Sequence, residues 1–307
     1  MTPVGGLPDK RRLAWRIALG AILLLGLLLR LKGIHNPVLD HPGWRQGDTA
    51  SIAKNFATLQ YNVFYPQTDY NGPPPNYVEL ELQIVPIIAA TLYKIVGIHE
   101  VIGRLVTIAF SLGTVGVLAF FARWLFVSEM AGILAALLYA IMPGSIYYGR
   151  TFTPDATMVF FLTAALYAVA RMLIEEERWT PRTTARATVL LALAFLAKPV
   201  SLAALVPIVT LTGERAFSGR TFRWAAIAVV FVLPIALLYG YDRVVSSHAE
   251  WHWASGITSL HVLPALRASL ASAAAFALKV TQFRTVLAML EHLMIGPVIT
   301  AIAILGL

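Results

Sequence analysis

The sequence contains no cysteine, which excludes disulfide frameworks, thiolate metal sites and thiol nucleophiles. Charge is also scarce: 13% of residues are Asp, Glu, Lys or Arg, against roughly 25% in soluble domains. No fixed-period repeat or low-complexity tract is visible, so neither a solenoid nor a disordered tail is expected. Acids are the rarer sign, 16 against 24 Lys and Arg, for a formal charge of +8. In a soluble chain that excess would suggest nucleic acid. Here the cations lie between apolar runs, where they set topology and meet anionic headgroups, and no nucleic-acid partner is expected.

What the chain has in abundance is hydrocarbon. Hydrophobic residues make up 58% of its 307 positions, and a membrane crossing needs about 20 largely apolar residues. That measure predicts an all-α polytopic membrane protein of eight spans, at residues 13–33, 101–123, 129–148, 154–173, 184–198, 199–213, 222–241 and 287–307. The run after Lys10-Arg11-Arg12 is too long for a signal peptide and no small-residue cleavage site follows it, so it is expected to be a retained first span. Residues 83–97 are apolar but short, interrupted by Pro86 and carrying Lys94, and are expected to be juxtamembrane. With that segment outside the membrane, about half of the 24 Lys and Arg fall in short segments on one side, which predicts a cytoplasmic N-terminus.

The expected organisation is a single transmembrane domain over 1–307. Residues 1–33 form the first span, 34–100 a large outer loop, 101–241 the bundle, 242–286 a second large outer loop and 287–307 a last span. Within the second loop, residues 263–278 are expected to form an amphipathic helix along the interface. The chain stops at Leu307 inside an apolar run, as a partial protein would.

The chemistry-bearing residues gather in the outer segments. Asp48 follows Trp44-Arg45-Gln46-Gly47 and is expected to open an amphipathic helix from Thr49 to Leu59, where an N-cap is the bland explanation for an aspartate. Glu79 and Glu81 sit in Tyr77-Val78-Glu79-Leu80-Glu81-Leu82 beside hydrocarbon; if extended, both point to one face and can hold a cation together. Asp155 lies in Thr153-Pro154-Asp155, an excellent helix start, with Arg150 close by as a ligand for phosphate. Lys198 is a cation at the outer end of a span, against the usual bias, and Arg104 lies a few residues into another. His248 and His252 would share a face if helical, but HAEWH is not the HExxH zinc pattern. Glu291 and His292 lie near the outer end of the last predicted span.

Sugar transfer from a lipid-linked donor needs a carboxylate to take the acceptor's proton and cations to hold the departing phosphate, both at the membrane surface. These residues supply both. The set resembles the GT-C glycosyltransferases: one N-terminal span, a first-loop acid, Tyr77-Val78-Glu79 before an apolar Pro-containing helix, Thr153-Pro154-Asp155 opening a later span, and Leu196-Ala197-Lys198-Pro199 ending another. Within them it is similar to the protein mannosyltransferase, lipid A aminoarabinose transferase and Rgt-like group, over about residues 10–215.

The resemblance implies inverting transfer from a polyprenyl-phosphate sugar to a lipid, glycan or protein acceptor, on the periplasmic side of a bacterial inner membrane. It implies Asp48, Glu79 and Asp155 as catalytic acids and Lys198 as a ligand of the donor phosphate, a role for which Arg150, Arg45 and Arg104 are the further candidates among the cations of this chain. Trp44, Tyr77 and Glu81 would line the cavity or meet the acceptor. A divalent cation on Asp48, Glu79 and Asp155 is an implied option. The sequence departs from the family pattern where Gln46-Gly47-Asp48 replaces an Asp-Glu pair and where Leu80 replaces a lysine after Glu79. Competing readings are a carrier of lipid-linked sugars, a polymerase or ligase of such lipids, and a purely structural membrane subunit. A carrier would place its charges at the midplane, whereas these charges cluster at one rim.

Overall fold

The computed structural model describes residues 9–40, 43–69, 74–175, 179–217, 224–252, 267–268 and 271–289. It is a helical bundle: α1 (Asp9–Leu31), α2 (Gly43–Thr58), α3 (Ile84–Val96), α4 (Glu100–Leu125), α5 (Glu129–Ile141), α6 (Pro143–Tyr148), α7 (Asp155–Ile174), α8 (Pro181–Ala197), a 3-10 turn (Pro199–Ala204), α9 (Leu205–Phe217), α10 (Trp224–Ser246) and α11 (Ala273–Met289). Two short strands, β1 (Val78–Glu79) and β2 (Trp251–His252), pair in parallel.

Four of the helices, α1, α4, α7 and α10, are long and apolar enough to cross a membrane. The chain is therefore a multi-pass membrane protein. Helix α3 has 13 residues, about 20 Å at 1.5 Å per residue, against the roughly 30 Å of a hydrocarbon core. It packs on α2 and α4. The chain also leaves α1 and enters α4 at the same end of the bundle, because Arg104 near the start of α4 donates to the carbonyls of Gly33, Ile34, Asn36 and Pro37 just past α1.

Residues 129–148, expected as one span, are two helices with a break at Met142-Pro143. Pro143 restricts the residue before it to extended backbone, and Met142 adopts φ −59°, ψ 125°. Pro143 also lacks the N–H that would have bonded the Tyr139 carbonyl, and the Ser145 hydroxyl takes its place. The neighbouring Ala140 carbonyl is taken by Arg30, which is fully buried. The same guanidinium donates to Gly26 O at 3.0 Å, Ser111 Oγ at 2.8 Å and Ser145 Oγ at 2.6 Å, so one cation fastens α1, α4, α5 and α6. A cation at the carbonyl end of α5 also suits the helix dipole.

Small residues let these helices close up: a Cβ on Gly132 would lie 2.5 Å from the Ala119 carbonyl across α4 and α5. The second half of the core is formed by α7, α8 and α10, where Val169, Leu173, Leu191, Phe195 and Val230 are buried together. Helix α8 begins with a reciprocal Thr180–Thr183 capping box.

Residues 199–213, expected as a span, begin as the 3-10 turn before α9. Helix α11 covers the end of what was expected to be the second outer loop and the interfacial stretch 263–278. The expected last span from 290 onward, with Glu291 and His292, and the loop residue His261 lie outside the described residues.

Replacing Arg30 by Met leaves the Ala140 carbonyl and two buried hydroxyls without their donor. We expect a loss of about 1–3 kcal/mol of stability, read as a lower thermal midpoint of the purified protein in detergent. An unchanged midpoint would show that Arg30 does not hold the broken helix.

Candidate active site

The first surprise is where Asp48 sits. Helix α2 begins at Gly43, so Asp48 is not an N-cap but an interior residue on the buried face with Gln46, Thr49, Ile52, Ala53, Asn55 and Phe56. Aspartate is a poor interior residue, by about 0.5–0.7 kcal/mol relative to Ala, and this one is only 7% exposed. Local helix chemistry therefore does not explain it.

Four segments remote in sequence close a circuit of contacts that runs through the helix carrying it. Gln46 accepts from the Phe152 backbone N–H at 3.0 Å, and its amide donates to the Asp40 carboxylate at 2.7 Å. That joins α2 to the turn that opens α7. Arg45, one turn before Asp48 on the same helix, pairs with Glu81. The strap carrying Glu81 then donates from Leu82 N to the Leu196 carbonyl at 2.8 Å, at the end of α8. Two residues on, Lys198 Nζ lies 2.5 Å from Asp155 Oδ1 at the start of α7, three residues after Phe152. This last pair joins the positive end of the α7 dipole to the negative end of α8, with each charge on the side the dipole favours. Gly103 keeps the circuit tight: a Cβ there would fall 2.2 Å from the Phe152 ring.

Glu79 has different company. It is fully buried, with His252 Nδ1 2.8 Å from its Oε2, and Asp242, near the end of α10, is its neighbour. The pairing of β1 with β2 sets Glu79 opposite His252. Sequence reasoning had placed Asp242 and His252 in a separate loop; the missing signal was a two-residue strand, too short to read as a pattern. The end of α10 grips the first loop further, with Tyr241 Oη donating to the Val63 carbonyl and His248 Nε2 to that of Phe64.

Several expected roles change. Glu79 and Glu81 do not act as a pair, since one faces Asp242 and His252 and the other Arg45. With Asp155 held by Lys198, the three acids Asp48, Glu79 and Asp155 do not form a donor set for a divalent cation, and no group of three metal-ligating side chains converges among the described residues. His248 and His252 do not share a helix face, because α10 ends at Ser246 and His252 is in β2. Arg104 is buried and committed to four backbone carbonyls and Asp40, so it clamps the α1 exit instead of meeting phosphate. Arg150 donates to the Lys32 carbonyl and lies over the Tyr147 ring, against the end of α1. Trp44 is 73% exposed. Tyr77 packs edge-on against Tyr65 and His248, with its hydroxyl on Gln60.

A protein-family model described as dolichyl-phosphate-mannose-protein mannosyltransferase matches residues 84–239, just over half of the chain. The chain belongs to this family. It is accordingly a membrane glycosyltransferase of GT-C type. No curated protein and no solved structure matches it. The matched stretch contains Asp155 and Lys198; Arg45, Asp48, Glu79 and Glu81 precede it, and Asp242 and His252 follow it.

Both members of the Lys198–Asp155 pair are partly exposed, at 35% and 27%, so solvent screens it and a coupling of about 1 kcal/mol is expected. Lys198→Met with Asp155→Asn should therefore destabilise less than the two single substitutions summed. Additive effects on the thermal midpoint would mean the two side chains do not interact.

Proposed function

We propose that this glycosyltransferase moves one sugar from a polyprenyl-phosphate donor to an acceptor on the extracytoplasmic side of the membrane, with inversion, and that Asp48 is the base. The observation that carries the reading is the circuit of contacts that brings Arg45, Glu81, Asp155 and Lys198 to one end of the bundle, with Asp48 buried one turn from Arg45 on the same helix. The family's own description, with a dolichyl-phosphate sugar as donor, supports a lipid phosphate here.

In this reading the bond from the sugar's anomeric carbon to the phosphate oxygen breaks and its electron pair leaves with the phosphate. The acceptor oxygen forms the new bond from the opposite face, and its proton passes to the Asp48 carboxylate. Lys198 and Arg45 stabilise the charge growing on the departing phosphate. Asp155 and Glu81 are positioning residues that aim those cations before the donor arrives. Glu79, Asp242 and His252 fix the strap that carries Glu81. Metal chemistry has no step in this scheme. A bacterial inner membrane, with the N-terminus cytoplasmic, fits the distribution of Lys and Arg.

The test supplies full-length protein in lipid with radiolabelled polyprenyl-phosphate sugars. Asp48→Asn, nearly isosteric, should lower the rate by about 10²–10⁴-fold, the range for losing a general base, while donor binding persists. Lys198→Met should instead raise the donor KM. Full transfer by Asp48→Asn would remove Asp48 from the mechanism, and absence of transfer by the wild type with every polyprenyl donor would overturn the reading.

A further inference from the structure

At the end of the bundle opposite the acids, a cavity of about 490 Å³ opens between the first turns of α1 and the last turns of α4. That size falls in the range of roughly 300–1,000 Å³ common to ligand sites. Its mouth carries Arg12, Arg16 and Arg123. Arg12 and Arg16 are four residues apart on α1 and so share one face; both are exposed, and neither belongs to any ion pair among the described residues. Arg123 is half-committed, 3.3 Å from Glu129 and 4.8 Å over the Trp15 ring.

The wall behind this cationic mouth is apolar. Trp15 and Phe120 flank it, with ring centroids 5.2 Å apart, and Leu19, Gly20 and Leu23 continue it along α1. From Arg12 to Leu23 the helix rises about 16 Å, which takes the groove well past a headgroup layer and into the hydrocarbon, since α1 is a membrane-spanning helix. One polar atom is left over: Trp15 is only 6% exposed, and its indole Nε1–H has no acceptor. Buried indole N–H groups ordinarily find one.

We propose that this groove is a binding site for an anionic phospholipid, its phosphate held by Arg12 and Arg16 and its acyl chain laid along Leu19 to Leu23. Charge selects the headgroup, because three arginines line one opening that has no acid among its lining residues, and Glu129 beside it is already paired with Arg123. Depth selects a lipid over a soluble phosphate, because most of the wall is hydrocarbon that a free anion would leave empty. Basic pockets between membrane helices are a recurrent way to hold anionic headgroups. The site is separate from the transfer site, as α4 begins beside the acids at Arg104 and ends here at Arg123.

The test is native mass spectrometry of the full chain in detergent, titrated with phosphatidylglycerol, with phosphatidylcholine of the same acyl chains, and with glycerol 3-phosphate. One phosphatidylglycerol should be retained in preference to phosphatidylcholine, and glycerol 3-phosphate should not be retained. Arg12→Gln with Arg16→Gln should weaken retention about tenfold or more, since each cation near an anionic headgroup contributes about 1 kcal/mol. Lys10→Gln with Arg11→Gln removes the same charge from exposed residues outside the cavity and should leave retention unchanged. Phosphatidylglycerol with brominated chains should quench wild-type fluorescence more than that of Trp15→Phe. Equal weakening by the two double variants would reduce the site to general charge attraction. Equal retention of both lipids would make it an unselective apolar seam, and retention of glycerol 3-phosphate would make it a soluble-anion site; each of the three overturns the proposal.

Discussion

A charge beside hydrocarbon must find a partner, and in this protein the partners come from far along the chain. Arg45 takes Glu81, Lys198 takes Asp155, and Glu79 takes His252 and Asp242. For the deeply buried acids Glu79 and Glu81, losing the partner would cost more than the pair contributes, because desolvation is the larger quantity. The pairings therefore act less as a source of stability than as a constraint on which segments meet. They draw α2, the strap before α3, the start of α7 and the end of α8 to one end of the bundle.

The scaffold behind them solves a related problem with a neutral set of acceptors. Arg30 has no carboxylate partner in its hydrogen-bond set; it spends its donors on two carbonyls and two hydroxyls, one of those carbonyls exposed by the break at Pro143. Arg104 fastens the exit from α1 with four carbonyls and, in addition, the Asp40 carboxylate. Two arginines thus fix the framework, while Arg45 and Lys198, each paired with an acid, remain available for chemistry in the proposed reaction. An arginine bonded to many backbone carbonyls is difficult to displace; one bonded to a single carboxylate can exchange it for a phosphate of like charge and geometry.

Membership of the bundle was legible from apolar runs, since α1, α4, α7 and α10 need only length and hydropathy. Breaks within runs were less so: Pro143 was visible, but that the helix would stop there instead of kinking depended on Arg30 and Ser145 arriving from elsewhere. Asp48 was visible as a residue but expected at a helix start, because the Gly-rich Gly43-Trp44-Arg45-Gln46-Gly47 reads as a turn, whereas burial against Phe152 and α3 draws it into helix. Arg104 and Lys198 looked alike in sequence, as cations near span ends. Each has a carboxylate beside it, and the four carbonyls that hold Arg104 are what separate a clamp from a candidate ligand. Asp242 and His252 could not be assigned to Glu79 by any spacing, because the contact spans over 160 residues.

The central claim is that these remote segments meet in the membrane, and the absence of cysteine makes it directly measurable. Leu82→Cys and Leu196→Cys, introduced together, place two thiols on backbones joined by a 2.8 Å hydrogen bond, within the Cα separation of about 4.4–6.8 Å that a disulfide needs. Oxidation of native membranes should cross-link this pair quickly and nearly completely, while Leu82→Cys with a cysteine at the far end of α8, such as Thr183→Cys, should not react. Failure of the 82–196 pair, or equal reaction of both pairs, would contradict the convergence on which the proposed active site depends.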